Sequence, residues 1–436
     1  MNSPDPKHYL LAVTRLHRKR PVVTTRAVYN VQGVKLLDQG VGVDERLYER
    51  LTQHRLLQPV DECLASEPAV TGRVLREAAQ EALQRWDFFA RMLAAAKTRE
   101  VVLHALESTP LPAPVAFSLT LARESYPALF DHSVLAAITA GYLVWTPVAS
   151  RHDVAVAVAA GLLHDLGMLY ADPVLWQPEH LLNSEQRRQL YVHPVTGALL
   201  AERHHEYPKD VVRAILEHHE LLDGSGYPRA LRAEAIGPLG RVLAVAEVTT
   251  AMFKCESDPP ELRLSLALRM NRDRYDATLL SDIVRLLEPG VREALARVPC
   301  RGDALPRLRE LADVLGQWRE VAACTGLPDE QARTAVARTQ EQVDRVLRSM
   351  AGAGVSAEQL AWLSRESIDD AVAAELTLVG REAAWQARAV VRFLRRQWRP
   401  SRGVPLTPAI DAWQARLSEA CEQWLAGGEP ARSVGG

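Results

Sequence analysis

The sequence predicts a mainly α protein, with a small N-terminal α+β module, an all-α central domain and a helical C-terminal extension. Three observations carry that expectation. Apolar residues recur at helical spacing through most of the 436 residues. Alternating, β-branched text is confined to the start of the 22–57 stretch. Breaks rich in proline and glycine at 108–115, 289–290 and 300–306 cut the helical text into segments. The expected layout is a module over 1–109, a domain over 116–290, an extension over 300–426 and a flexible tail over 427–436.

Taken in order, Val22–Thr25 and Ala27–Tyr29 read as strand text, Asn30–Gly33 as a turn and Val34–Leu37 as the returning strand of a hairpin. Asp44 is placed to cap a helix whose Leu47, Leu51 and Leu56/Leu57 lie broadly on one face. Val74, Leu75, Ala78, Leu83, Trp86 and Phe89 continue one helical pattern from 70 to 106. Between 116 and 290 the text is almost wholly helical. Beyond 300 it is helical again, with Trp318, Trp362, Trp385, Trp398, Trp413 and Trp424 read as core anchors. Arg388, Arg392, Arg395, Arg396, Arg399 and Arg402 form a basic stretch, read as a solvated face.

Composition bounds the function. A net charge of −2 with 24% charged residues gives no overall bias toward a nucleic-acid polymer or an acidic membrane. The five cysteines are scattered without a Cys-x-x-Cys pair, which argues against a disulfide framework and fits a reducing cytoplasm. Arg15, Arg18, Lys19 and Arg20 interrupt the N-terminus, so no export signal is expected. The uncharged run Ser133–Ser150 reaches only the lower edge of spanning length, and with the apolar Val154–Leu163 it reads as two buried core helices.

The chemistry-bearing residues are histidines. Nine of the thirteen fall between 132 and 219. His132 opens one apolar helix, His164 and Asp165 end another, His193 heads a third, and His218–His219 run into the turn Asp223-Gly-Ser-Gly-Tyr-Pro228. Adjacent helix positions lie about 100° apart, so His218 and His219 cannot both face one core, but they can grip one centre. Imidazole and carboxylate without thiolate suit Mn, Fe or Zn. A carboxylate such as Asp165 can bridge two ions, and two ions about 3.5–4 Å apart activate water and clamp a phosphoryl group. Phosphoester hydrolysis follows as the expected chemistry.

The ordered series is Asp131-His132-Ser133, Leu163-His164-Asp165-Leu166-Gly167, His193-Pro194-Val195-Thr196-Gly197-Ala198, His218-His219-Glu220 through Gly226-Tyr227-Pro228, Gly240-Arg241 through Ala246-Glu247, and Arg274-Tyr275-Asp276-Ala277. Over 116–290 this resembles the HD-GYP domains, the bacterial branch of the HD phosphohydrolases that hydrolyses cyclic di-GMP. The resemblance implies an all-α HD-GYP fold, two divalent ions (most simply Fe or Mn) and a metal-dependent phosphodiesterase that releases a linear dinucleotide or GMP. By the same resemblance His132, His164, Asp165 and Glu247 would hold one ion and Asp165, His193, His218 and His219 the other, with His164 and Asp165 the catalytic pair. Asp223, Gly226, Tyr227 and Pro228 would shape the pocket wall and a docking corner for signalling proteins. Arg241 and Lys254 are the candidate phosphate partners, and a homodimer is compatible with the pattern.

Three departures qualify the resemblance. Met168 stands where the family has a phosphate-contacting Lys, and Glu247 where it has Asp. Residues 249–260 lack the usual basic segment. They motivate two rival expectations: a weakened or inactive HD-GYP protein that binds a cyclic dinucleotide or docks a partner, and an HD hydrolase for another nucleotide.

Overall fold

A computed structural model describes residues 5–146, 149–176, 184–254, 259–295, 302–323, 330–366, 368–397 and 408–425. The chain is mainly helical and divides into two compact units. The first is built from Met1–Lys254 with Asp273–Asp282, the second from Cys255–Arg272 with Ile283–Ala431. Residues 1–109 therefore share a unit with the histidine-bearing helices.

In the first unit the helices are α1 (Lys7–His17), α2 (Glu45–Thr52), α3 (Gly72–Arg85), α4 (Asp87–Ala95), α5 (Arg99–Glu107), α6 (Ala113–Ser125), α7 (Pro127–Val144), α8 (Arg151–Leu163), α9 (Ser184–Glu202), α10 (Lys209–Glu217) and α11 (Pro238–Ala251). Two small antiparallel pairs join them. β1 (Val23–Thr24) pairs with β4 (Leu64–Ala65), and β2 (Val28–Tyr29) with β3 (Lys35–Leu37). The turn between β2 and β3 is closed by Asn30, whose side chain accepts from Gln32 N and Val34 N, with Gly33 at φ 79°. Asp44 caps α2 by accepting from Leu47 N at 3.0 Å, and α2 ends at Thr52, short of Leu56 and the exposed Leu57 that were expected on its face.

The single helical pattern expected over 70–106 is three helices. Trp86 adopts an extended backbone between α3 and α4, and Lys97, at φ 54°, separates α4 from α5. Apolar periodicity survives such breaks because each short helix still turns an apolar face inward. Trp86, Phe88 and Phe89 converge on Phe253, with ring centroids 4.8–5.4 Å apart.

Close helix contact sets the frame of the site. A Cβ on Gly161 of α8 would lie 2.7 Å from Ala136 O and from Ala137 Cα of α7, so the two backbones meet where only glycine fits. Ser150 and Asp153 form a reciprocal capping box that starts α8. The two stretches long and apolar enough to cross a membrane, Pro127–Val144 and Arg151–Tyr170, are 72% and 83% buried inside the protein. Their apolarity is accounted for by that burial.

The second unit contains α12 (Pro260–Met270), most of α13 (Ala277–Leu295), α14 (Ala304–Gly316), α15 (Trp318–Ala323), α16 (Glu330–Gly352), α17 (Ala357–Leu363), α18 (Asp370–Gln397) and α19 (Pro408–Leu425). Trp318, Trp413 and Trp424 are fully buried in its core, and the Trp413 indole donates to Val314 O at 2.6 Å. Trp385 is half-buried, and Trp362 is largely exposed. Trp398, Arg399 and Arg402 lie outside the described residues, as do the side chains of Arg395 and Arg396. Cys63 and Cys421 are buried free thiols, whereas Cys255, Cys300 and Cys324 lie outside the described residues.

Candidate metal centre

Helix ends deliver four of the seven groups, and His193, expected to head its helix, lies in the middle of α9 instead. His132 sits in the second turn of α7, His164 is the C-cap of α8, and Asp165 follows it as the N-cap of a 3-10 helix, Leu166–Tyr170. His193 lies within α9, His218 is the C-cap of α10 with His219 next to it, and Glu247 lies on α11. All seven are buried. Two glycines let these elements close up. A Cβ on Gly167 would lie 2.1 Å from His193 O, and one on Gly226 would lie 2.4 Å from His219 O.

The donors form two groups that share one residue. His132, His164, Asp165 and Glu247 offer ligand atoms all within 4.8 Å of one another, and so do Asp165, His193, His218 and His219. His132 Nε2 lies 2.7 Å from Glu247 Oε2, and His164 Nε2 lies 3.2 Å from the same oxygen. Asp165 turns Oδ2 toward this group, 3.6 Å from His132 Nε2 and 3.7 Å from His164 Nε2. Its Oδ1 faces the other group, 3.2 Å from His193 Nε2 and 3.7 Å from His218 Nε2.

Backbone carbonyls fix the imidazole tautomers. Nδ1 of His164, His193 and His218 donates to the carbonyl three residues earlier, Gly161 O, Leu190 O and Ile215 O, at 2.7, 2.5 and 2.6 Å. A carbonyl oxygen can only accept, so each neutral ring carries its hydrogen on Nδ1 and turns a bare Nε2 lone pair to the centre. His193 Nε2 and His218 Nε2 are 3.1 Å apart. Two lone pairs and a carboxylate oxygen therefore converge, an arrangement that a cation satisfies and that is otherwise costly inside a protein.

Protonation follows the same logic. Burial pulls His218 down to about 4, against the opposing hydrogen bond to Asp165. Burial, then His218 and His193, hold His219 well below its ordinary value. Burial pushes Asp165 upward, but His164, His193 and His218 outweigh it and keep the carboxyl well below the usual range. Asp165 is thus held as a carboxylate and His218 and His219 as neutral imidazoles, the states a divalent ion needs. Burial pulls His164 down, but Asp165 and Glu247 outweigh it and raise His164 above its ordinary value. The donor set fits divalent metal binding.

The turn after His219 is packed against this set. Tyr227 stacks on His219 with centroids 4.6 Å apart, and Tyr191 lies 4.6 Å from Tyr227 on another side. The Tyr227 hydroxyl is buried without a hydrogen-bond partner among the described residues. Burial first, then Glu247 and Asp165, push its ionisation well above the ordinary value, so it stays a donor. Asp223 folds the turn by accepting from Ser225 N, and its other oxygen lies 3.6 Å from Arg274. Pro228 completes the half-buried corner.

The candidate phosphate partners are placed differently. Arg241 donates to Ile236 O and Ala233 O and lies 3.6 Å from Asp276, which makes it a brace for the start of α11. The side chain of Lys254 lies outside those described. Met168 is buried, and its backbone N–H donates to Asp165 O.

Sequence reasoning missed two buried acids beside the histidines. Glu217 accepts from Arg213, Arg229 and Gly237 N, and Glu220 accepts from Arg229 N and Leu231 N, so they fasten the 220–237 segment. Their place next to His218–His219 was the available signal. Tyr191 was missed because helical text gives no sign of a partner 36 residues away.

Residues 120–279 match the family described as HD domain. That stretch is similar to HD domains. The chain is 41% identical over 97 residues to cyclic di-GMP phosphodiesterase PA4108 of Pseudomonas aeruginosa, covering 21% of this chain and 22% of that protein. It is 31% identical over 180 residues to the cyclic di-GMP phosphodiesterase response regulator RpfG of Xanthomonas campestris, covering 41% and 43%. To 3'3'-cGAMP-specific phosphodiesterase 1 of Vibrio cholerae it is 27% identical over 155 residues, covering 32% and 33%. The chain spans less than half the length of each of these relatives.

Proposed function

We propose that this chain is a metal-dependent cyclic di-GMP phosphodiesterase of the HD-GYP type, acting in cytoplasmic second-messenger signalling. The observation that carries the reading is the sharing of Asp165 between two buried donor groups, with Oδ2 toward one and Oδ1 toward the other. In this reading His132, His164, Asp165 and Glu247 hold one divalent ion and Asp165, His193, His218 and His219 hold a second, with Fe or Mn suited to the donors. Two such ions activate water and bear the charge of an in-line phosphoryl displacement.

The chain's own residues supply the setting. The Nδ1 hydrogen bonds hold three rings in one tautomer, and burial of all seven donors keeps bulk water from competing with a bound phosphate. Tyr227, protonated and stacked on His219, can donate to an oxygen of the ligand. Hydrolysis joins a water oxygen to phosphorus, breaks the bond to the ribose oxygen and returns a proton to that leaving oxygen. The products are a linear dinucleotide or GMP.

Met168 favours a second reading. A buried thioether cannot neutralise charge at the phosphate, and loss of one such donor costs on the order of 10²–10³ in rate by analogy with oxyanion holes. The alternative is a protein that binds a cyclic dinucleotide with little turnover. Metal-loaded protein assayed against cyclic di-GMP, 3'3'-cGAMP and linear dinucleotides separates these cases. Turnover of cyclic di-GMP above a His164→Ala/Asp165→Ala control supports the phosphodiesterase. Binding without turnover supports the alternative, and faster turnover of another nucleotide reassigns the substrate.

A further inference from the structure

We propose that Asp61, contributed by the N-terminal module, is a positioning residue for Asp165. The inference rests on reading Asp165 as a metal ligand. Asp61 is buried, and its recorded partners come from two elements of the site. Oδ1 accepts from the Tyr170 hydroxyl at 2.9 Å and from Arg203 Nη1 at 3.2 Å, and Oδ2 lies 3.0 Å from the same Arg203 nitrogen.

Both partners are tied to ligands. Tyr170 ends the 3-10 helix Leu166–Tyr170, whose N-cap is Asp165 and whose five residues are all buried. Arg203 directly follows α9, the helix that carries His193. Tyr170 is held on its face too, stacked on Tyr9 of α1 with centroids 4.7 Å apart and ring planes 19° apart. The same 3-10 helix presses Gly167 against His193 O. One buried carboxylate from residues 60–63 thus pins the segment leaving Asp165 and the end of the helix bearing His193.

The cost of burying a carboxylate explains why this junction is stiff. Burying a carboxyl group such as that of Asp61 costs free energy unless its oxygens are paired, so Tyr170 and Arg203 must both stay in place. Displacing Tyr170 moves a packed 3-10 segment as a body, and Asp165 stands at its other end. Groups that orient metal ligands from outside the ligand set typically contribute 10–100-fold to metal affinity. A module without ligands of its own thereby sets the geometry of the residue that both donor groups share.

The test is Mn(II) affinity by chelator competition on the full chain, with folding checked by circular dichroism. Asp61→Asn removes the charge but keeps an acceptor, and Tyr170→Phe removes a single hydroxyl. Thr24→Val is the control, because Thr24 donates to Asp38 O within the N-terminal module and its loss weakens the module elsewhere. The expected result is about tenfold weaker Mn(II) binding in folded Asp61→Asn and Tyr170→Phe, with Thr24→Val binding as the unaltered chain does while melting at a lower temperature. If Asp61→Asn does not fold, Tyr170→Phe decides alone. Unaltered affinity in Tyr170→Phe, or an equal loss in Thr24→Val, overturns the proposal. Failure of the unaltered chain to bind Mn(II) removes the metal centre itself and the proposal with it.

Discussion

His193 and His218 face each other with their Nε2 atoms 3.1 Å apart, while the Nδ1 of each is committed to a backbone carbonyl. Neutral rings so arranged have no hydrogen to share, and Asp165 Oδ1 adds a third electron-pair donor beside them. Metal removal should therefore destabilise the fold. A ligand at 100 times its dissociation constant stabilises by about 2.7 kcal/mol. Chelation is expected to lower the thermal midpoint by several degrees, and His193→Ala should erase most of the difference between loaded and chelated protein.

The shared carboxylate makes stoichiometry informative. Glu247→Gln weakens only the His132–His164 group, whereas Asp165→Asn removes the charge common to both. Elemental analysis should find the metal content of Glu247→Gln reduced by about one ion per chain, and that of Asp165→Asn reduced further. Equal contents in the two variants would contradict the shared role.

Acid should weaken the metal-free protein over a defined window. His218 falls to about 4 in the folded state from 6.5, so between those values the unfolded chain binds more protons and stability rises with pH. His219, also lowered, acts in the same sense. Asp165 adds stability above its ordinary value of 3.8 that is lost as pH falls toward its lower folded value. His164 opposes them, since its raised value contributes stability below 6.5 that disappears above the folded value. Midpoints measured from pH 7 to 4 should fall with pH, and His218→Gln should flatten the slope.

Two glycines are fixed by contact. A methyl group at Gly167 would meet the carbonyl of His193, and one at Gly226 would meet the backbone of residues 219–221. Either alanine variant should cost about 1–3 kcal/mol, as overpacking does. Denaturant midpoints check this. The Gly167 variant should also lose metal, because its clash lies between Asp165 and His193.

Met168→Lys tests the missing phosphate cation. If that position faces a bound phosphate, the substitution should raise turnover of cyclic di-GMP by about two powers of ten, the lower end of the range for a restored charge donor. Steady-state kcat with KM little changed is the expected signature. Unaltered kcat would show that Met168 is not what limits the rate.

The seven candidate ligands were legible because each belongs to a short motif, although only His164, Asp165, His218 and His219 stand at helix ends. His193 and Glu247 lie inside helices that close packing at glycines such as Gly161 and Gly167 brings together. Helical class was legible for the same reason that periodicity is, since burial of one face imposes it. Long-range commitments were not. Asp61 reaches Tyr170 across 109 positions and Arg203 across 142, and no local pattern encodes such a pairing. Arg241 read as a candidate phosphate partner, yet backbone carbonyls and Asp276 engage it. Glu217 and Glu220 drew no reading of their own, because local sequence does not show the arginine and backbone donors that make their burial tolerable.

The most direct test measures metal content and cyclic di-GMP hydrolysis on the same purified sample. The account predicts about two divalent ions per chain and turnover that disappears together with the metal in His164→Ala/Asp165→Ala. A sample that holds both ions, binds cyclic di-GMP and hydrolyses it no faster than that variant would contradict the phosphodiesterase assignment.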